Sequence, residues 1–303
     1  MGQNHLRILS MLKGVEVAFI HDANQEAVCK LSEAYGVPIM DAPLHHLIDI
    51  DAVVIASPTI THADYIELVS KSVKNIFVEK PLAATVIEAE KLVDLAQAHA
   101  LNVQVGFIER FNPAIQAMKR ILDRSVQVVS IDFTRTNKLS ARITDVDVVT
   151  DLMIHDIDLA LYLNGPVKSV EAHGMAQGQM IDFASALLTH QNGRFSRIQA
   201  SRITEKKIRH IQATCSDMFV DCELLRKEIT ISRQSEVRQV EGEPYVISAL
   251  EESVEVRPQE ALLTELQAFI ASCGGEVSAG IPDAQAGCDA MQVCEKIQKA
   301  ILK

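Results

Sequence analysis

Hydrophobic positions fall into two regimes along this chain. Up to about residue 113, short apolar runs alternate with stretches in which apolar residues recur every three or four positions. Beyond it, strand-type runs follow one another with few helices between them. Gly2 to Leu12 places Leu6, Leu9 and Leu12 on one side of a helix that Gly14 stops. Val15 to Ile20 predicts a strand leading to Asp22, and Asn24 to Tyr35 a helix stopped by Gly36. Pro38 to Met40 reads as a short strand and Pro43 to Ile48 as a short helix. Ala52 to Ala56 is a buried strand running into Ser57-Pro58-Thr59, where small and hydroxylated residues let a ligand approach the backbone. A helix from His62 to Ser72, a strand ending at Lys80, a helix from the Thr85 cap to about Ala100, and a strand from Asn102 to Phe107 complete the series. Strand and helix alternating at this spacing predict right-handed βαβ units and a doubly wound parallel sheet.

After Phe111-Asn112-Pro113 the pattern changes. A helix from Ala114 to Asp123 leads to a strand over Val126 to Arg135, a polar loop to about Asp147 and a helix over Thr150 to Leu163. Strands are then predicted at Val167–Met175, Phe183–Thr189, Ser196–Ser201, Arg209–Cys215, Met218–Cys222 and Glu228–Ile231, with Asn192-Gly193 as a hairpin turn. Residues 233 to 257 are polar and carry no clear period, and two helices, Pro258–Ser272 and Asp283–Leu302, close the chain. The fold class is thus α/β plus α+β: a Rossmann-like domain over 1–113 and, over 114–303, a mostly antiparallel sheet with helices on one face. The other face of that sheet needs a cover, so a homodimer or homotetramer through residues 167 to 232 is expected.

Length and composition agree with two soluble domains: 303 residues, 48% of them apolar and 23% charged. The net charge of -11 argues against a nucleic-acid partner. No apolar run approaches the roughly 20 residues of a membrane span. The six cysteines show neither a C-x-x-C pair nor zinc-type spacing with histidine, so no metal is expected. They read as reduced, mostly core thiols of a cytoplasmic protein.

Three places carry candidate chemistry. Ile76-Phe77-Val78-Glu79-Lys80-Pro81 runs an apolar strand into an acid, a base and a proline, the last a candidate for a cis bond. Ligands bind at the carboxyl ends of strands in open α/β sheets, so Lys80 is delivered to a place where burial eases loss of its proton. A solvated Glu-Lys pair in a turn fits the same residues. The helix opening at Asp151 carries Asp151 and His155 four apart on one side, with Asp158 a turn further on. A carboxylate beside an imidazole makes His155 a candidate general base; a capped helix with a solvated acidic face fits that pattern too. Asp22 lies about 20 residues after Gly2, the distance at which an acid takes the ribose hydroxyls in a dinucleotide-binding unit and disfavours a 2′-phosphate. Only Met1 stands before Gly2 here, so the first strand and first two glycines of G-x-G-x-x-G are not in this sequence. A sheet lacking its first strand is expected, with Gly2 opening the helix whose N-terminus would face a pyrophosphate.

Taken together, Glu79-Lys80-Pro81 and the Asp-x-x-x-His spacing of Asp151 and His155 resemble the motifs of the Gfo/Idh/MocA family of nicotinamide-dependent oxidoreductases, and the resemblance covers nearly the whole chain. It implies that Lys80 and His155 flank a hydroxyl being oxidised, that Asp151 supports them, and that NAD takes the hydride. It implies a cofactor site of Gly2, Asp22, Ser57, Pro58, Thr59, His62, Glu79 and Lys80, and a substrate site of Lys80, Asn112, Arg142, Asp151 and His155. Within the family, Gly106 to Pro113 and Asp151 to Asp158 are most similar to members that oxidise the 3-hydroxyl of UDP-N-acetylglucosamine or its uronate, supplying 3-keto sugars for transamination toward lipid A or surface polysaccharide. A free sugar or cyclitol is the alternative substrate, and a catalytically impaired sugar-binding relative the alternative role. A nucleotide-sugar diphosphate needs cations, for which Arg135, Arg142, Lys206, Lys207 and Arg209 are available. Asn112 is either a sugar contact or a helix cap before Pro113. Asp147 stands where the resemblance implies a glycine.

Overall fold

The computed structural model describes residues 1–40, 47–138, 146–238, 246–276 and 280–303. Two compact units share the chain: Met1–Ile108 with Glu260–Met291, and Glu109–Gln259 with Gln292–Lys303. The chain thus returns to its first unit near its end, which no pattern in the linear order reveals.

The first unit is built on a parallel sheet, β1 (Ala52–Ile55), β2 (Asn75–Glu79) and β3 (Asn102–Gly106), in that spatial order. Around it run α1 (Gly2–Leu9), α2 (Gln25–Tyr35), α3 (His62–Val69) and α4 (Val86–Ala98). Local chemistry sets their ends. Asn24 accepts a hydrogen bond from Ala27 N, and Gly36 closes α2 in the left-handed region at φ 67°. Thr85 and Glu88 cap α4 reciprocally in a capping box. The expected strands at Val15–Ile20 and Pro38–Met40 are reduced to one parallel bridge, Ile20 with Ile39. An extended segment becomes a strand only when a neighbouring row completes its ladder, and for 15–20 the neighbour supplies just the hydrogen bonds from Ile20 N to Pro38 O and from Met40 N to Ile20 O. Of the predicted helix at Pro43–Ile48, residues 43–46 lie outside the described residues, and a single 3-10 turn follows at Leu47–Asp49.

The core of this unit is closed from the far end of the sequence. Helix α7 (Ala261–Cys273) brings Leu262, Leu266 and Phe269 onto Ile8 of α1 and Phe77 of β2. Phe269 meets Phe77 edge to face at 5.6 Å, an arrangement that aligns ring edge with ring face. Helix α8 (Ala284–Ile301) approaches β3 at Gly287, where a Cβ would lie 2.9 Å from a Val105 methyl and 3.0 Å from Leu82 Cβ, closer than a side chain tolerates.

The second unit is an eight-stranded sheet. In chain order its strands are β4 (Val128–Lys138), β5 (Val167–Gln177), β6 (Met180–His190), β7 (Phe195–Ser201), β8 (Ile203–Cys215), β9 (Met218–Glu223), β10 (Glu228–Arg238) and β11 (Val246–Val254). Their spatial order is β11-β10-β9-β8-β4-β7-β6-β5, antiparallel throughout except for the parallel pair β4–β7. Gly193 makes the predicted β6–β7 hairpin with φ 83°. Helices α5 (Pro113–Leu122) and α6 (Ile154–Asn164) pack on one face, over Ile131, Phe133, Ile198, Ala213 and Val220. Register sets Leu187, Arg197, Asp132 and Gln212 in one row of the other face and Thr189, Phe195, Ser130, Thr214 and Phe219 in the next.

A buried charge network fixes α6 on this scaffold. Arg135, 2% exposed on β4, donates Nε and Nη2 to the two Asp156 oxygens at 2.8 Å each, and Nη1 to Glu109 Oε1 at 2.8 Å. Arg209 donates to the same Glu109 oxygen at 2.9 Å. Arg110 makes a second bidentate pair with Asp158, at 2.8 and 2.7 Å. Burial opposes the charge on Arg135, but Asp156 and Glu109 outweigh it and hold its pKa above the ordinary value. Burial likewise pushes Glu109 up, and Arg135 and Arg209 reverse this, holding its carboxyl below the usual range. Burial pushes the Asp158 carboxyl up against the pull of Arg110. Such pairs cost much to desolvate and more to break singly. Arg135→Met should therefore lower unfolding stability in urea by roughly 3–5 kcal/mol, because Asp156 is left buried without its cation and Glu109 keeps only Arg209. Adding Glu109→Gln and Asp156→Asn should recover part of that loss; a single variant of wild-type stability would mean that the network carries no weight.

Candidate active site

In a parallel sheet the carboxyl ends of all strands lie along one edge, and in the first unit this edge gathers the predicted cofactor residues. Ser57-Pro58-Thr59 follows β1, with Ser57 Oγ 2.7 Å from Thr61 Oγ1. Gly2 opens α1 beside the same strand end: a Cβ on it would stand 3.8 Å from Ala56 Cβ. Asp22 is exposed ahead of α2 and accepts from Asn24 N at 2.8 Å with one carboxylate oxygen. Lys80 is half-buried directly after β2, and the Lys80–Pro81 peptide is cis.

Two histidines frame that lysine. His62, 1% exposed at the start of α3, has Nδ1 2.8 Å from Pro81 O and Nε2 3.0 Å from Ser57 O. Both ring nitrogens lie against main-chain carbonyls, of which a neutral imidazole can donate to one, so His62 bridges the turn after β1 and the turn after β2. His5 of α1, also buried, has Nε2 2.6 Å from Glu79 Oε1, a contact in which the imidazole donates to the carboxylate, and its ring meets Phe77 edge to face at 5.2 Å. Glu79 is thereby a buried partner of α1, lying against Gly106, where a Cβ would come within 3.1 Å of its Oε2. The His5 role is not marked in the sequence: it is one polar residue on an otherwise apolar helix face, and its partner lies 74 positions away.

In the second unit, Asp151 and His155 are both half-buried, but they do not share one regular α-helix. Val149–Met153 is a π turn, and α6 begins only at Ile154. The i,i+4 spacing therefore spans a change of helix type rather than one regular α-helix. Asp158, one turn beyond His155 on α6 as expected, is buried against Arg110 rather than solvated. Asn112 caps α5, its Oδ1 accepting from Ala114 N at 3.1 Å while Nδ2 donates to Glu109 Oε2 at 3.2 Å. Arg135 is ruled out as a diphosphate contact by its burial and its three bonds to carboxylates. Arg209 is half-buried on Glu109, Lys206 and Lys207 are exposed on β8, and Arg142 lies outside the described residues.

Among the described residues there is no cluster of metal-ligating side chains, and no helix is long and apolar enough to cross a membrane. The residues at the first unit's strand-end edge fit a dinucleotide: an exposed glycine at a helix N-terminus, an exposed acid 20 positions later, and a small, hydroxylated turn.

Comparison with known proteins agrees with this layout. Residues 1–107 match the model of an oxidoreductase family with an NAD-binding Rossmann fold, and residues 125–218 match the GFO/IDH/MocA C-terminal domain. The UDP-N-acetylglucosamine 3-dehydrogenase of Acidithiobacillus ferrooxidans is 30% identical over 84% of this chain and 80% of its own length. Its solved structure superposes with a TM-score of 0.88 at 25% identity, covering 99% of this chain and 94% of that one. An inositol 2-dehydrogenase of Rhizobium meliloti is 27% identical over 92% of this chain and 88% of its own. With NAD-binding and C-terminal domains both matched and a relative similar along most of its length, this chain belongs to the GFO/IDH/MocA family of NAD-dependent oxidoreductases.

Proposed function

We propose that the protein oxidises a sugar secondary alcohol to a ketone, and that its substrate is UDP-N-acetylglucosamine or a related UDP-amino sugar attacked at the 3-hydroxyl. The observation that carries this reading is the similarity to the A. ferrooxidans dehydrogenase, which spans both units. NAD would supply the hydride acceptor when bound, and Gly2 with the α1 N-terminus, Asp22 and the turn Ser57-Pro58-Thr59 would hold it. In this reading Lys80 and His155 handle the hydroxyl proton. Lys80 hydrogen-bonds the alcohol oxygen and stabilises the charge that develops there, while the His155 imidazole accepts the proton and Asp151 orients and steadies the resulting imidazolium. His62 and the His5–Glu79 contact hold the backbone on either side of Lys80, which fixes where its ammonium can reach. A free cyclitol is the second reading, favoured by the inositol dehydrogenase match over nearly the whole chain. A panel of UDP-N-acetylglucosamine, its uronate, N-acetylglucosamine and myo-inositol, scored by NADH formation, separates the two. Turnover of myo-inositol or free sugar alone discards the nucleotide-sugar assignment. In the nucleotide-sugar reading the product is a 3-keto sugar of the kind an aminotransferase consumes on the way to lipid A or surface polysaccharide.

The outward face of the second unit's sheet completes the proposal. Leu187, Phe195 and Phe219 are exposed on it beside the ion pairs Arg197–Asp132 and His210–Asp221, a mixture of apolar and paired polar groups suited to self-association. A homodimer or homotetramer through this face, acting in the cytoplasm, is the expected form.

Three outcomes are expected. Lys80→Met and His155→Gln should each lower kcat by about 10²–10⁴ with the preferred alcohol, while His155→Gln leaves NAD affinity, measured by fluorescence titration, as it was; near-wild-type turnover in either variant refutes the assigned role. Asp22→Ser should narrow the preference for NAD over NADP by about tenfold, about 1.4 kcal/mol, read from the ratio of kcat/KM values. Sedimentation should give a dimer or tetramer that Phe195→Lys dissociates, and a wild-type monomer removes the sheet from consideration as an interface.

A further inference from the structure

The π turn Val149–Met153 raises the question of what holds it, since this geometry is uncommon and Asp151 lies at its centre. Its N-terminal side is fixed by Asp147, whose Oδ1 accepts from Thr150 N at 2.9 Å and whose main-chain oxygen accepts from Asp151 N at 3.0 Å. The other Asp147 oxygen, Oδ2, accepts from Gln298 Nε2 of α8 at 2.8 Å, and the same nitrogen donates to Thr150 Oγ1 at 3.0 Å. Arg202, buried on Asp182 at 2.6 Å, donates to Val146 O at 2.7 Å. Cys294, one helical turn before Gln298, packs with Sγ 4.0 Å from Val149 O.

We propose that Gln298 is a positioning residue for Asp151, acting through Asp147 and Thr150 on the turn that carries it. This rests on the reading of Asp151 and His155 as the proton-handling pair. A primary amide carries two protons on one nitrogen, and here the two acceptors lie three residues apart on either side of the entry to the π turn. Their joint capture specifies where the turn starts, and so the direction in which Asp151 leaves it relative to His155. The side chain at 147 that departs from the expected glycine thus has a use in this chain: it is the handle by which the C-terminal helix holds the catalytic segment. Magnitudes decide where the effect appears. A half-exposed hydrogen bond of this kind contributes about 1 kcal/mol to stability, whereas misplacing a catalytic group by about 1 Å costs up to about 10²-fold in rate.

The test uses Gln298→Leu, Gln298→Glu, Asp147→Asn and the swapped pair Gln298→Glu with Asp147→Asn. In the swap, the amide introduced at position 147 donates to the carboxylate introduced at position 298, reversing the polarity of the bond while keeping its length. Gln298→Leu and Gln298→Glu should each lower kcat about tenfold and shift the pH profile of kcat, with KM for NAD and the melting temperature close to wild type. The swapped pair should recover most of the loss. A fall in melting temperature with kcat and its pH profile unchanged, or no recovery in the swap, overturns the inference. A second readout needs no turnover: in protein labelled with ¹⁵N-histidine, the His155 ring resonance, assigned by its loss in His155→Gln, should titrate with a different midpoint in Gln298→Leu. An unchanged midpoint overturns the inference even where no tested alcohol is oxidised, an outcome that by itself counts only against the substrate reading.

Discussion

Arg135 is the residue on which the architecture of the second unit turns. Its guanidinium lies fully buried in β4 and joins two elements that sequence separates: the turn containing Glu109 and the helix containing Asp156. Asp156 is the neighbour of His155, so the bidentate pair fixes the backbone from which the candidate base projects. The geometry suits a planar, permanently charged fork, and a lysine in its place, with its donors on a single nitrogen, would lose the two parallel bonds to Asp156. Arg110 and Asp158 repeat the device two residues further along α6. Two such pairs on alternate residues pin the helix in both rotation and translation, which a purely apolar contact surface, with its smoother energy, does less well. The mutual attraction and charge-assisted hydrogen bonds within these pairs oppose the desolvation cost of burying four charges.

The alternation of strands and helices in the first unit was legible because both periods are local: one apolar face recurs every two residues or every three to four. What failed was not local. Val15–Ile20 has the composition of a strand, yet a ladder needs a partner row, and here only Ile20 finds one. Conversely β11, Val246–Val254, lies in a stretch too polar to read as a strand, and it forms because β10 offers its backbone edge. The return of α7 to the first unit was hidden for the same reason: Leu262, Leu266 and Phe269 show an apolar stripe but not which sheet it covers.

The site divides along the same line. Lys80, Asp151 and His155 stand out by spacing, and the family resemblance rests on them. The groups that hold them in place do not. His5, Glu109 and Gln298 are unremarkable in sequence and matter through partners 74, 26 and 151 positions distant. The π turn is also invisible, since Asp151 and His155 show the same four-residue interval whether the segment between them is α or π. Where the sequence offered Arg135 as a cation for a ligand, burial and three bonds to carboxylates show this side chain spent on structure.

That reassignment bears on substrate choice. A nucleotide sugar brings a diphosphate that must be met by cations, while a cyclitol brings none, so the supply of uncommitted positive charge separates the two chemistries. Arg135 contributes nothing to that supply, and Arg209 is partly neutralised by Glu109, which it shares with Arg135. What remains among the described residues of the second unit's β8 is the exposed pair Lys206 and Lys207, which lie where β8 loses its regular register with β4 between Ile203 and Ile208. A diphosphate bound near this strand would draw on that pair and on Arg209, whose half-buried guanidinium has one nitrogen on Glu109 and carries further N–H donors.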